Sequence, residues 1–171
     1  MKTRVFFVSD VHGSDLCFRK FINGGRFYGA DAIILGGDVT GNAVVLMLKH
    51  ADGSVKVGEG GASRVLKSSA EIEAAKKAIS DAGSYPYIAE AKELEELKSR
   101  SGLLGELFKQ LAVDSLRAWV ALADEKLAGT ETMCYMSPGN DDLFEIDEVL
   151  SSGEKVINPR VESCKSREDM R

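Results

Sequence analysis

Two short apolar runs, Val5-Phe6-Phe7-Val8 and Ala32-Ile33-Ile34-Leu35, bracket a stretch in which Leu16, Cys17, Phe18, Phe21 and Ile22 recur at roughly helical spacing. Each run is too short for a buried helix and ends in polar or glycine residues. That is how a strand covered on both faces of a sheet reads. Ser14 or Asp15 can cap the intervening helix. Strand, helix and strand in immediate succession make a βαβ unit, which requires parallel strands and a right-handed crossover. An α/β fold is therefore expected from the first turn of the chain onward.

Residues 41–130 read as an elaboration on that unit. Apolar segments at 44–48 and 55–57 flank Ala51-Asp52-Gly53-Ser54, and Asp-Gly between such runs predicts a hairpin. Helices are predicted over 71–82, stopping at Gly83, and over 89–98 and 103–127. The last carries Leu104, Leu107, Phe108, Leu111, Leu116, Trp119, Val120 and Ala123 along one stripe, the pattern of a packing face rather than a cofactor box. A third strand is predicted at 132–136. Asp142 is expected to cap a short helix ending at Leu150, with Gly153 just past it, and 155–157 reads as a fourth strand. Residues 161–171 are polar, charged and without period, so a disordered tail is expected after a single domain spanning 1–160.

Composition narrows the function classes. No apolar run approaches the ~18–20 residues of a membrane span, and Met1-Lys2-Thr3-Arg4 lacks a signal-peptide layout, so a cytoplasmic location is expected. The net charge of −5 comes without a basic stripe, which argues against nucleic acid as a partner. Cys17, Cys134 and Cys164 are odd in number and scattered, neither a disulfide framework nor a zinc motif, and fit a reducing compartment. No GxxxxGK[ST] or GxGxxG follows a strand, and Gly58-Glu59-Gly60-Gly61 reads as a flexible loop.

Three polar clusters follow three of the predicted strands: Asp10-Val11-His12-Gly13, Gly36-Gly37-Asp38 and Gly139-Asn140-Asp141. Parallel strands bring such clusters to one sheet edge, where ligands of open α/β sheets bind. In Asp10-x-His12 the alternation aims both side chains the same way. Each residue also has a plain structural reading. Asp10 and Asp38 can serve as caps or turn residues, a lone His12 can simply pack, and Asn140-Asp141 can form an ordinary turn. Together, hard oxygen donors and one imidazole at consecutive strand ends make a donor set suited to Mn, Fe, Zn or Mg. An acidic protein that handles phosphate needs such a local source of positive charge.

In this order the three clusters resemble the first three motifs of the calcineurin-like metallophosphoesterase superfamily, D-x-H, then G-D, then G-N-H-D or G-N-H-E. The resemblance spans residues 3 to about 150. It implies the N-terminal half of that family's α/β sandwich, with a hairpin and helical insertion between the second and third motifs. It further implies two divalent metal ions. Asp10 and His12 would bind the first, Asp38 would bridge both, and Asn140 would bind the second. The implied reaction is hydrolysis of a small phosphomonoester or phosphodiester by in-line attack of metal-bound hydroxide, between ions ~3.5–4 Å apart.

The chain departs from this pattern at two places. Asp141 stands where the family has a histidine that assists the leaving group. A carboxylic acid is a poorer proton donor near neutrality, so Asp141 is either a donor with a raised pKa or a turn residue. The family's later histidines have no counterpart, because the chain holds only His12 and His50, and His50 falls in the predicted hairpin turn. The expectation is a truncated or frameshifted form of a longer enzyme, with little or no phosphodiesterase activity. A half-sheet would leave an edge and apolar faces uncovered, which implies homodimerisation or poor solubility. The alternative reading is a catalytically dead metal-binding or regulatory domain on the same fold.

Overall fold

The computed structural model describes residues 2–58 and 60–161, so the expected tail lies outside the described residues apart from Val161. The elements run β1 (Val5–Val8), α1 (Asp15–Tyr28), β2 (Ala32–Gly36), β3 (Ala43–Lys49), β4 (Val55–Val57), a 3-10 turn (Gly60–Ala62) and β5 (Arg64–Leu66). They continue with α2 (Ser69–Asp81), β6 (Ser84–Glu90), α3 (Ala91–Ser99), α4 (Leu103–Leu127), β7 (Met133–Ser137), α5 (Ile146–Leu150) and β8 (Val156–Ile157). The result is a mixed α/β fold with two four-stranded sheets.

The first sheet has the order β1-β2-β7-β8 with every pairing parallel. The expected βαβ unit is present, and Ser14 caps α1 by accepting from the Cys17 N–H at 3.2 Å. Parallel pairing puts the ends of β1, β2 and β7 along one edge. One expectation fails here. β1 is not covered on both faces, since Val5 is 51% and Phe7 61% exposed. The reason is that α1, α4 and α5 contribute to one apolar core with only the alternate strand residues Ile33, Leu35, Cys134, Met136 and Val156. Within this core Phe18 stacks on Trp119 at 4.2 Å, and Trp119 Nε1 donates to Asp15 Oδ1 at 2.6 Å. α4 spans the expected residues and its stripe is buried at Leu116, Trp119, Val120 and Ala123, joined by Ala112 and Leu127, while Leu104 at its start is exposed. No helix among the described residues is long and apolar enough to cross a membrane.

The elaboration is more than a hairpin with helices. It forms a second sheet, ordered β5-β4-β3-β6, in which β3 pairs antiparallel with β4 and parallel with β6. The Asp52-Gly53 turn joins β3 to β4 as expected, with Gly53 at φ 83°. β5 and β6 are additional to the predicted strands, and residues 89 and 90, predicted to open a helix, end β6 instead. Pro86 fits because β6 lies at the sheet edge, where a missing N–H is tolerated. A small core of Met47, Val55, Leu66 and Ala75 forms between this sheet and α2, whose Ser68/Glu71 capping box satisfies its first turn.

The two sheets meet through three glycines. A Cβ on Gly13 would lie 2.5 Å from the Gly41 Cα, one on Gly41 would lie 2.5 Å from the Gly83 carbonyl oxygen, and one on Gly83 would lie 2.1 Å from the His12 carbonyl oxygen. Ser14 Oγ reinforces the junction by donating to the Asp81 carbonyl at 2.6 Å. The loop after β1 is thus pressed, backbone on backbone, against the turn between α2 and β6. Gly83 (φ 86°) is expected to be far more sensitive than Gly53, whose Cβ position is open. In urea titrations Gly83→Ala should cost at least about 3 kcal/mol, from clash plus backbone strain. Gly53→Ala should cost only the left-handed penalty of about 1–2 kcal/mol. Equal losses would show that the junction is loose.

Candidate metal centre

Beyond their last strand residues the loops after β1 and β2 stay zipped together. The N–H groups of Asp10, His12 and Gly13 donate to the carbonyls of Gly37, Asp38 and Val39 at 3.2, 2.9 and 2.9 Å, and Gly37 N–H donates to the Ser137 carbonyl of β7 at 2.9 Å. This irregular ladder carries the sheet's parallel order past the strands and fixes where the side chains emerge. The outcome is a cluster in which one ligand atom each from Asp10, His12 and Asp38 lies within 4.8 Å of the others.

These three residues share a second property. Asp10 (φ 57°), His12 (φ 43°) and Asp38 (φ 48°) are the non-glycine residues with positive φ among the described residues. Asp and His tolerate this region better than most side chains, yet each instance costs on the order of 1 kcal/mol or more. Three such costs falling on the three clustered side chains mark a place where side-chain direction overrides backbone preference.

The third loop arrives through Gly139. A Cβ there would lie 2.2 Å from Asp38 Oδ1 and 2.5 Å from the Asp38 nitrogen, so only glycine allows this approach. Asp38 Oδ1 is buried and has no hydrogen-bond partner. A buried, unpaired carboxylate oxygen is strongly unfavourable unless a cation or donor reaches it. Asp38 also offers a carboxylate oxygen to the cluster with Asp10 and His12, and two carboxylates with an imidazole suit the divalent metal ion that the donor set implies.

The remaining expected residues are placed differently. Asn140 and Asp141 are exposed, and Asn140 Nδ2 donates to Asp141 Oδ1 at 2.7 Å, so the asparagine side chain is turned toward its neighbour. His50 belongs to the hairpin turn, where its N–H donates to the Ser54 carbonyl at 2.8 Å. Asp142 does not cap α5. That helix is preceded by Glu145 with no side-chain cap bond, while the Asp142 carboxylate accepts from the backbones of Val39 (3.0 Å), Thr40 (2.8 Å) and Gly139 (2.7 Å) and from the Thr40 hydroxyl (2.6 Å). Burial alone would raise its pKa, but these four donated bonds outweigh that and hold it below the usual carboxylate value.

Tyr85, from β6, completes the support by accepting the Gly41 N–H at 2.7 Å, and its ring meets Phe108 of α4 edge-on. Tyr85 and Thr40 carry no sequence signal of their own, and Asp142 stood out in the sequence only as an expected helix cap at the end of the third motif. No family model, curated protein or solved structure matches the chain.

Burial pushes the Tyr85 phenol up from 10.0 to about 12, with the carboxylates of Asp142 and Asp15 adding to the rise. The folded state therefore favours the neutral phenol. Its contribution is in place below about pH 10 and is lost as the pH climbs toward the folded value. Urea midpoints measured from about pH 9 to 11.5 should fall steeply in the wild type. Tyr85→Phe should start lower, having lost the Gly41 acceptor, and fall less. Parallel curves would assign the alkaline loss to other groups.

Proposed function

We propose that Asp10, His12 and Asp38 hold a divalent metal ion and that the chain is a metal-dependent phosphoesterase of the calcineurin-like kind, acting on a small phosphate ester. The observation that carries this reading is the buried, unpartnered Asp38 Oδ1 at the point where three left-handed residues and the Gly139 backbone converge. A bound divalent ion supplies positive charge for the phosphate oxygens and acidifies a water for attack. The chain's own part is to aim two carboxylates and an imidazole at one point and to leave the exposed side of Asp10 and Asn140 open to substrate. In this reading the first sheet is the N-terminal half of the family's sandwich, and the free thiols of Cys17 and Cys134 suit a cytoplasmic setting.

A specific observation favours a second reading, a metal-binding or regulatory domain without turnover. One three-ligand cluster is present among the described residues, and the side chain that would serve a second ion, Asn140, is engaged with Asp141. A second ion would share Asp38 and find little else, so the two-ion chemistry that the resemblance implies would be weak.

Thermal unfolding with and without Mn(II), followed by assay on a nitrophenyl phosphodiester, separates these readings. Saturating Mn(II) should stabilise the wild type, by about 2.7 kcal/mol at a concentration a hundred times Kd, and Asp38→Asn should abolish the gain. Slow Mn-dependent hydrolysis that Asp38→Asn removes supports the enzyme. Stabilisation without any turnover selects the second reading. No Mn(II) effect on the wild type, with Zn(II) and Mg(II) equally inert, overturns both.

A further inference from the structure

We infer that Asp142 is the positioning residue of this centre: it bolts the third loop to the two residues that follow Asp38 and so sets the affinity of the Asp10–His12–Asp38 cluster for a divalent cation. The inference rests on the metal-binding reading and assigns a duty to a carboxylate outside the ligand cluster.

Both oxygens of Asp142 are committed. Oδ2 takes the N–H of Val39, the residue directly after Asp38, and the N–H of Gly139, whose backbone abuts the Asp38 carboxylate. Oδ1 takes the N–H and the hydroxyl of Thr40. One half-buried side chain thereby joins two loops more than 100 residues apart in sequence, with contact separations of 103 for Val39 and 102 for Thr40. The geometry also explains why the residue is an acid. Four donors converge on it, and an amide would turn an N–H₂ toward at least one of them.

The consequence for binding follows from pre-organisation. Asp38 is held at positive φ with a buried orphan oxygen, an arrangement that the free loops would relax. If the loops are docked in only a fraction of molecules, the apparent affinity for the cation falls by that fraction. Residues that support ligands from behind typically change metal affinity by about 10–100-fold.

Mn(II) titrations of the full chain, read by electron paramagnetic resonance of the free ion well below the unfolding temperature, test this. Asp142→Asn should bind at least about tenfold more weakly while keeping its far-UV circular dichroism. Thr40→Val, which removes one of the four donors and conserves shape, should weaken binding in the same direction by less. Leu66→Ala, in the separate core of the second sheet, should lower the unfolding temperature and leave the Mn(II) affinity unchanged, which distinguishes positioning from mere destabilisation. Wild-type affinity in a folded Asp142→Asn overturns the inference. If Asp142→Asn does not fold, Thr40→Val decides: weaker binding supports the inference and unchanged binding overturns it. Failure of the wild type itself to bind Mn(II) overturns the metal-binding reading and this inference with it.

Discussion

The arrangement around Asp38 depends on one unfavourable contact, a buried carboxylate oxygen with nothing to accept from. Folded proteins rarely leave such an atom unpaired, because its lost hydration is worth several times a typical net hydrogen bond. Here the neighbours do not relieve it. Gly139 comes closer than any other residue type could, and Asp10 and His12 turn toward it at positive φ. Each of these features adds strain at the Asp10–His12–Asp38 cluster. A cation at the cluster would lower it, and that asymmetry is what makes the strain informative about function.

The cost is met by the backbone at and behind these three residues. The ladder from Asp10, His12 and Gly13 to the carbonyls beyond β2 uses backbone groups alone, so it persists whatever the side chains do. The second sheet adds a buttress, because Gly83 stands against the His12 carbonyl and Tyr85 holds Gly41. Residues 43–127 therefore do more than lengthen the connection between β2 and β7. They set a turn and a tyrosine hydroxyl directly against the backbone of the loops that carry His12 and Asp38.

The parts legible in the sequence were those with a local cause. β1, β2 and α1 follow from apolar runs and a helical period, and α4 from a long stripe. The Asp10, His12 and Asp38 trio was visible because parallel strands must deliver their ends to one edge. Other features had causes that lie elsewhere in the chain. β6 contains Pro86 and runs directly into α3, so no period identified it; it exists because β3 offers a parallel partner over the whole of Ser84–Glu90. The open face of β1 was hidden because Val5 and Phe7 are as apolar as Phe6 and Val8, and only the placement of the helices tells them apart. Asp142 read as a helix cap because acids before short helices usually are caps, whereas its real partners lie at Val39 and Thr40.

The same contrast bears on how much chemistry the centre can support. A side chain is poised to take a cation when its other partners have been removed. For Asp38 they have been: Gly139 fills the space and the Asp142 carboxylate takes the surrounding N–H donors, leaving Asp38 Oδ1 without a donor of its own. For Asn140 they have not, since Asp141 beside it accepts its amide and solvent reaches both. One wall of the site is therefore pre-organised and the other is adaptable. A cation held by the first wall would be recruited by relief of strain. Any second ion, or the phosphate itself, would have to draw Asn140 away from a hydrogen bond it already makes. That difference, more than the count of histidines, separates the binding step from the catalytic one in this fold.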